Sequence, residues 1–312
     1  MVSPLQTLAS GQTLCNPPDR LRDLLEPLRP AGLAVAKEDD CWAVATVDEP
    51  LLLARQINVL LENVLGGEGS VAMLGETGST MDDARWALKP GMRYVLVVAE
   101  KQSRGRGRLG RTWTSPPGGL WFTLGIRLPR GELPPVSLAA GLAVAEILDA
   151  FTGLAVGVKW PNDLIVSGRK LGGILVENVV GPEELEVYVG VGLNVNNPAS
   201  QMPKELRSMA TSLADELGFR APRATLLALI LPRLASRILG CFEDCGPALE
   251  DLSSYDILRG RRVRIRLNGE TLEGVAEGID DRGRLKVSTD RGVVSLDSGD
   301  VAWADGIVYM TG

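Results

Sequence analysis

Two apolar runs between residues 94 and 128 enclose a segment that no helix or strand can hold: Gly105-Arg106-Gly107-Arg108-Leu109-Gly110-Arg111. Residues 94–99 are almost continuously apolar, as in a strand buried on both faces. Leu120, Phe122, Leu124, Ile126 and Leu128 alternate with Trp121, Thr123, Gly125 and Arg127, which predicts a strand with unlike faces. Glycines at 105, 107 and 110 open backbone conformations closed to other residues. The chain must therefore build a sheet that carries a glycine-hinged loop between two of its strands. That loop is cationic: residues 101–111 hold five cations and no acid, in a chain whose formal charge is −6. Bare amides and guanidinium forks in one such segment suit a loop that folds over a phosphate ester.

Three units are expected along the chain. In residues 1–66, Leu21, Leu24, Leu25 and Leu28 have helical spacing, stopped by Pro30 and Gly32. Apolar runs at 33–36 and 42–45 flank the charged turn Lys37-Glu38-Asp39-Asp40 and predict a hairpin. A helix over 51–65, closed by Gly66-Gly67, completes a unit similar to part of a winged helix-turn-helix. Residues 67–255 hold a strand at 71–74, a helix from Thr80 stopped by Pro90-Gly91, and a core helix over 137–151. A meander follows at 155–159, 164–166, 171–180 and 185–196, then helices over 211–217 and 223–242, the second kinked at Pro232. In residues 256–312, Arg262, Arg264 and Arg266 alternate with Val263, Ile265 and Leu267, and Asn268-Gly269 marks a hairpin, which fits a small barrel.

The chain contains no histidine. It cannot run a Ser-His-Asp or Cys-His mechanism, and it lacks the commonest metal ligand; no metal site is expected. The acidic balance argues against nucleic acid as the main partner. Among Cys15, Cys41, Cys241 and Cys245 only the last two are close in sequence, with no second pair to complete a zinc set, so reduced thiols in a cytosolic protein are expected. Residues 1–14 lack the pattern of a signal peptide. The apolar tract 139–158 is broken by Glu146, Asp149 and Thr152, as in a core helix running into a strand rather than a membrane span. A soluble, cytoplasmic protein with no membrane partner is expected.

Four constellations carry chemistry. Glu76-Thr77-Gly78-Ser79-Thr80 places two hydroxyls between a strand and a helix start, where they cap the helix or hold a small polar ligand. The Gly-Arg loop, preceded by Gln102, is the second. Lys159-Trp160-Pro161-Asn162-Asp163 gathers a lysine, an amide and a carboxylate on one tight turn. Lys170-Leu171-Gly172-Gly173 sets a lysine at a strand entrance before two residues without side chains, and Gly190-Val191-Gly192-Leu193-Asn194 echoes it on the next strand. Singly, each has an ordinary structural reading; together, in one β-rich unit, they point to carboxylate activation. Joining a carboxylate to the α-phosphate of ATP brings anions together, and lysine and arginine can neutralise and align them without an acid–base residue. A glycine-rich flap would shelter the reactive mixed anhydride from water.

Residues 74–197 resemble the catalytic domain of the biotin protein ligases, through Glu76-Thr77-Gly78-Ser79-Thr80, the run from Gly105 to Trp113, Lys159-Trp160-Pro161-Asn162-Asp163, the run from Lys170 to Glu177 and the run from Gly190 to Asn196. The resemblance implies an α+β architecture: a class II aminoacyl-tRNA synthetase-like catalytic domain with a mixed sheet, an SH3-like C-terminal barrel, and a small degenerate winged-helix-like N-terminal unit. It implies synthesis of biotinyl-5′-AMP from biotin and ATP with Mg²⁺, then transfer of biotin to a lysine of a biotin carboxyl carrier protein. Lys170 and Arg108 would be catalytic. Ser79, Thr80, Gln102, Gly105, Arg106, Gly107, Arg108, Lys170 and Gly172 would bind biotin or its adenylate. Arg111, Trp113, Lys159, Asn162, Asp163 and Asn194 would hold the nucleotide. A homodimer is compatible with the resemblance. Met81 stands where many members have Asn. Residues 17–50 carry four Lys/Arg against eight Asp/Glu, so DNA binding is expected to be weak or absent. The nearest rival is a lipoate or octanoate ligase or transferase on the same fold; no cysteine between residues 42 and 240 could serve as an octanoyl transferase nucleophile. A repressor acting on a biotin operon is the further alternative.

Overall fold

The runs that alternate or stay apolar become three sheets in this computed structural model, which describes residues 3–10, 12–37, 40–46, 48, 53–267 and 269–307. The first unit holds α1 (Pro4–Ala9), β1 (Leu14–Cys15), α2 (Asp19–Leu25) continued by a 3-10 turn (Glu26–Leu28), the hairpin β2 (Ala34–Lys37) and β3 (Cys41–Val44), and α3 (Ala54–Leu65). Its sheet runs β1-β3-β2. Neither α1 nor β1 is legible in the sequence, because each is too short to show a period. Glu38 and Asp39 of the expected turn, Leu51 and Leu52 of the expected helix, and Asn268 of the C-terminal turn lie outside the described residues. Leu5, Leu8, Leu25 and Leu28 join one core with the helices of the central unit.

The expectation of four free thiols is overturned. Cys15 faces Cys41 in the β1–β3 register and the two form a disulfide; Cys241 and Cys245 form a second, one helical turn apart. Sequence spacing could not show the first pair, whose proximity exists only once β1 lies beside β3.

The central sheet is ordered β4-β5-β6-β10-β9-β8-β7. Its strands are β4 (Gly69–Thr77), β5 (Tyr94–Gln102), β6 (Leu120–Pro129), β7 (Gly157–Lys159), β8 (Asp163–Val166), β9 (Arg169–Val180) and β10 (Glu184–Leu193). Only β4 and β5 are parallel, joined through α4 (Thr80–Ala87). The period of two sorts β5 cleanly. Tyr94, Leu96 and Val98 join the core of α5 (Val136–Thr152) and α7 (Arg223–Asp244), while Val95 and Val97 meet Met81 and Ala84 of α4. β6 has unlike faces, as expected, but both are buried. Its polar face finds partners within the protein: Arg127 donates to the carbonyls of Lys89 and Met92 at 2.9 Å and to Glu186 at 2.8 Å. α7 continues through Pro232 as one helix. It is long and apolar enough to cross a membrane by composition, yet here it lines the core. α6 (Leu213–Leu217) and α8 (Gly246–Leu252) complete the unit.

The third sheet is antiparallel, β14-β13-β12-β11-β15, from β11 (Arg262–Leu267), β12 (Glu270–Ile279), β13 (Leu285–Thr289), β14 (Gly292–Leu296) and β15 (Asp300–Ala304). Val263 and Ile265 turn inward and Arg262, Arg264 and Arg266 outward. Two bonds fasten this sheet to the central one. The Lys159 ammonium donates to the Val301 carbonyl at 3.0 Å, and the Trp160 indole donates to the Gly283 carbonyl at 3.1 Å. They bring β15 to the mouth of the cavity described next.

Candidate active site

A cavity of about 260 Å³ opens where β5, β6, β8, β9 and β10 present their ends to the Gly-Arg loop and to β15. One end is a buried polar knot on an apolar floor. Ser79 starts α4, but its hydroxyl makes no capping bond. The Thr80 amide and hydroxyl both donate to Gln102 Oε1, at 2.9 and 3.1 Å. The Thr80 hydroxyl also lies 2.9 Å from that of Thr123, and Gln102 Nε2 donates to Ser115 at 2.9 Å. The capping reading of Ser79-Thr80 therefore gives way to a network that joins α4, β5, β6 and the loop at Ser115. Met81 supplies the floor: a Cβ on Gly190 would come 2.9 Å from its methyl.

The other end is cationic. Lys170 Nζ lies 2.6 Å from Asp163 Oδ1 and 5.0 Å from the centre of the Trp113 ring. Lys159 sits behind, 2% exposed, its ammonium 3.9 Å from Asp163 Oδ2. Burial pushes the Lys159 pKa down to about 8, with Asp163 opposing and Lys170 adding to the shift. Asp163 thus stands between two lysines at the entrance of β8. Asn162, on the turn after the cis Trp160–Pro161 bond, donates to the Ile174 carbonyl at 2.8 Å and accepts from Arg108 at 3.4 Å. Burial pulls the Arg108 pKa down, against the pull of Asp163 and Asp300. Five cationic side chains and two carboxylates line the cavity, so it is built for an anion.

The loop is a folded lid. Its neck is closed by the bridge between Gln102 and Ser115, its tip by that between Arg106 and Thr112. Gly107 N donates to the Arg111 carbonyl at 2.8 Å. Leu109 and Gly110 both take positive φ, 56° and 72°, to make the reversal. Arg106 forks onto Asp82 of α4 at 2.6 and 2.9 Å, and Arg111 pairs with Asp300 of β15. Trp113 lies flat against glycines, because a Cβ on Gly192 would come 2.6 Å from its indole nitrogen. That nitrogen is buried and has no hydrogen-bond partner among the described residues.

Of the residues singled out from sequence, Ser79, Thr80, Gln102, Arg106, Gly107, Arg108, Arg111, Trp113, Lys159, Asn162, Asp163, Lys170 and Asn194 all line this cavity. Gly105 and Gly172 do not. A Cβ at Gly105 would meet the Trp113 carbonyl at 2.5 Å, and one at Gly172 the Gly192 carbonyl at 2.7 Å, so both positions require close backbone approach. Asn194 spends its amide on the Thr211 carbonyl at 3.0 Å and accepts from Asn197. Sequence reasoning missed Thr123, Asp300 and Val301 and the wall from Met202 to Ala210, and, outside the cavity wall, Asp82, the partner of Arg106. Thr123 alone had a signal, as a polar residue in an otherwise apolar strand.

A family model described as the biotin/lipoate A/B protein ligase family matches residues 75–194, and one described as the biotin protein ligase C-terminal domain matches residues 259–302. The biotin–[acetyl-CoA-carboxylase] ligase of Mycobacterium tuberculosis is 38% identical over 257 residues, which cover 77% of this chain and 93% of that protein. This chain belongs to the biotin protein ligase family. Another relative, the bifunctional ligase/repressor BirA of Bacillus spizizenii, is 36% identical over 212 residues; the match covers 66% of this chain and spans 65% of that relative's length. A biotin protein ligase from Aquifex aeolicus, solved in complex with biotin and ATP, matches with a TM-score of 0.64 at 29% identity, over 73% of this chain and 96% of that one. In this biotin protein ligase family member the two matched segments meet at the cavity: the lid, the polar knot and both lysines come from the first, Asp300 and Val301 from the second.

Proposed function

We propose that this chain is an ATP-dependent biotin–protein ligase that makes biotinyl-5′-AMP and passes biotin to a lysine of a biotin carboxyl carrier protein. The observation that carries the reading is the division of one cavity into an apolar, polar-tipped end and a cationic end, with a lid between them. Biotin, a fused ring with a ureido group and an aliphatic carboxylate, suits the first end. Thr80, Gln102 and Thr123 offer it hydrogen bonds and Met81 an apolar floor, while the carboxylate points toward Lys170. MgATP, entering as substrate with its own metal, suits the second end, where Lys170 lies over the Trp113 ring and Arg108 reaches Asn162. The Aquifex ligase carries both molecules in its own structure.

In the first step a carboxylate oxygen of biotin attacks the α-phosphorus. The new bond to that oxygen forms as the bond to the bridging oxygen of the β-phosphate breaks, and pyrophosphate leaves. Lys170, oriented by Asp163, and Arg108 from the lid neutralise the charge that builds on the phosphoryl oxygens. In the second step the uncharged amine of the acceptor lysine attacks the acyl carbon, AMP departs, and the amine loses its extra proton to water. No covalent enzyme intermediate is involved. The lid excludes water between the steps.

The finer reading of the units follows: a degenerate winged-helix-like unit at 1–66, a class II synthetase-like catalytic domain at 67–255 and an SH3-like barrel at 256–312, in a cytoplasmic protein. We assign weak or absent DNA binding, because acids outnumber cations two to one over residues 17–50. The test is ATP–pyrophosphate exchange with biotin, lipoate or octanoate supplied in turn. Biotin dependence is expected; exchange with lipoate or octanoate alone would replace this reading with that of a lipoate-type ligase. A tight gel shift with the protein's own biotin-operon DNA would overturn the assignment of weak DNA binding.

A further inference from the structure

The lid is fastened at two points that belong to different parts of the chain. On one side Arg106 makes a two-pronged bond to Asp82, in the first turn of α4, at 2.6 and 2.9 Å. On the other side Arg111 pairs with Asp300 at the start of β15. The first fastening is the more informative, because α4 also carries Ser79, Thr80 and Met81 into the cavity. Asp82 itself is absent from the cavity wall, so its carboxylate is spent on the lid rather than on a ligand. Around the pair, Glu177 Oε1 lies 3.9 Å from Arg106, while the other oxygen of that carboxylate, Oε2, is held by Arg85 at 3.2 Å. Asp82 is therefore the main anchor for Arg106, and the pair raises the Arg106 pKa. A forked guanidinium–carboxylate bond fixes orientation as well as distance. The lid tip is a small hairpin closed by the Arg106–Thr112 bridge, so one such bond at Arg106 restrains the whole tip.

We propose that Asp82 is a positioning residue that holds the Gly-Arg lid shut over the cavity through Arg106, and so sets how long the acyl nucleotide is retained before transfer. The retention clause rests on the ligase reading; the latch itself does not. Two measurements keep them apart. In the first, ligand-free protein is treated with trypsin and cleavage after Arg108 and Arg111 is followed. Asp82→Asn should be cut roughly two- to fivefold faster than wild type, as loss of a partly exposed ion pair allows, and Asp82→Glu should restore protection. Added salt should speed cleavage of wild type more than that of Asp82→Asn, which keeps only the Arg111–Asp300 pair. Arg106→Gln, breaking the pair from the lid side, should match Asp82→Asn. In the second, biotin and MgATP are supplied and release of the acyl nucleotide is timed against its transfer to a carrier domain. Asp82→Asn should release it faster by a similar factor, with the rate of its formation kept. Equal cleavage of wild type and Asp82→Asn, or cleavage with no difference in salt response, overturns the latch. Faster cleavage with an unchanged rate of acyl-nucleotide release overturns the retention clause alone, and wild type that forms no acyl nucleotide from biotin overturns the ligase reading.

Discussion

Two lysines eleven residues apart meet one carboxylate, and their environments divide the work. Lys170 keeps part of its surface toward the cavity, with 18% of its side chain exposed, whereas Lys159 is sealed beneath and bonded to a backbone carbonyl. Lys170→Ala should lower biotin-dependent exchange by roughly a hundred- to a thousandfold, as expected for loss of a charge aimed at the reacting phosphoryl group, while circular dichroism and the melting temperature stay near wild type. Lys159 makes a different prediction. Its folded pKa of about 8 lies below the ordinary 10.5, so between those values the unfolded chain binds the extra proton. Wild type should gain stability relative to Lys159→Met as pH rises from 8 to 10.5, by roughly 3 kcal/mol at most. Urea unfolding of both proteins at several pH values checks this; a difference that stays flat across the window contradicts the assignment.

At the level of single elements, β10 divides the cavity by its glycines. Gly190 makes room for Met81 on the polar-tipped side, and Gly192 makes room for the Trp113 indole on the cationic side. Gly190→Ala should raise the KM for biotin and Gly192→Ala the KM for ATP, each severalfold and each with little effect on the other substrate. Steady-state exchange resolves the two. Overpacking at Gly192 should also cost about 1–3 kcal/mol of stability, because indole and strand backbone have no slack, whereas the Met81 side chain can bend away. The strand was legible as a strand, and its glycines as places of close approach. What approaches them was not, since Trp113 reaches β10 only through the return of the lid.

Across the whole molecule, the C-terminal sheet is part of the site rather than an appendage. It offers the Val301 carbonyl to Lys159 and the Asp300 carboxylate to the lid, and it covers Trp160, which is 2% exposed. Asp300→Ala should leave the fold intact but loosen the lid on its second side. Exchange at subsaturating ATP is expected to fall by about tenfold, in line with loss of a charge-assisted pair near a bound anion; unchanged exchange would show that β15 acts only as a wall. The N-terminal unit is tied in as well, through leucines shared with the central core and through Asp48, which accepts from Arg223 at 2.9 Å and Arg220 at 3.1 Å.

The sequence by itself determined the order of the central sheet's strands along the chain, the lid between β5 and β6, and the set of residues able to bind an anion without histidine. These are local properties: apolar period, glycine placement and residue chemistry act within a few residues of themselves. Only the tertiary structure decided that Asp163 stands between Lys159 and Lys170, that Asp82 and Asp300 hold the two sides of the lid, and that Cys15 lies against Cys41. Those relations join residues up to 189 positions apart. Their strength comes from burial and distance, which exist only after the sheets have closed on one another.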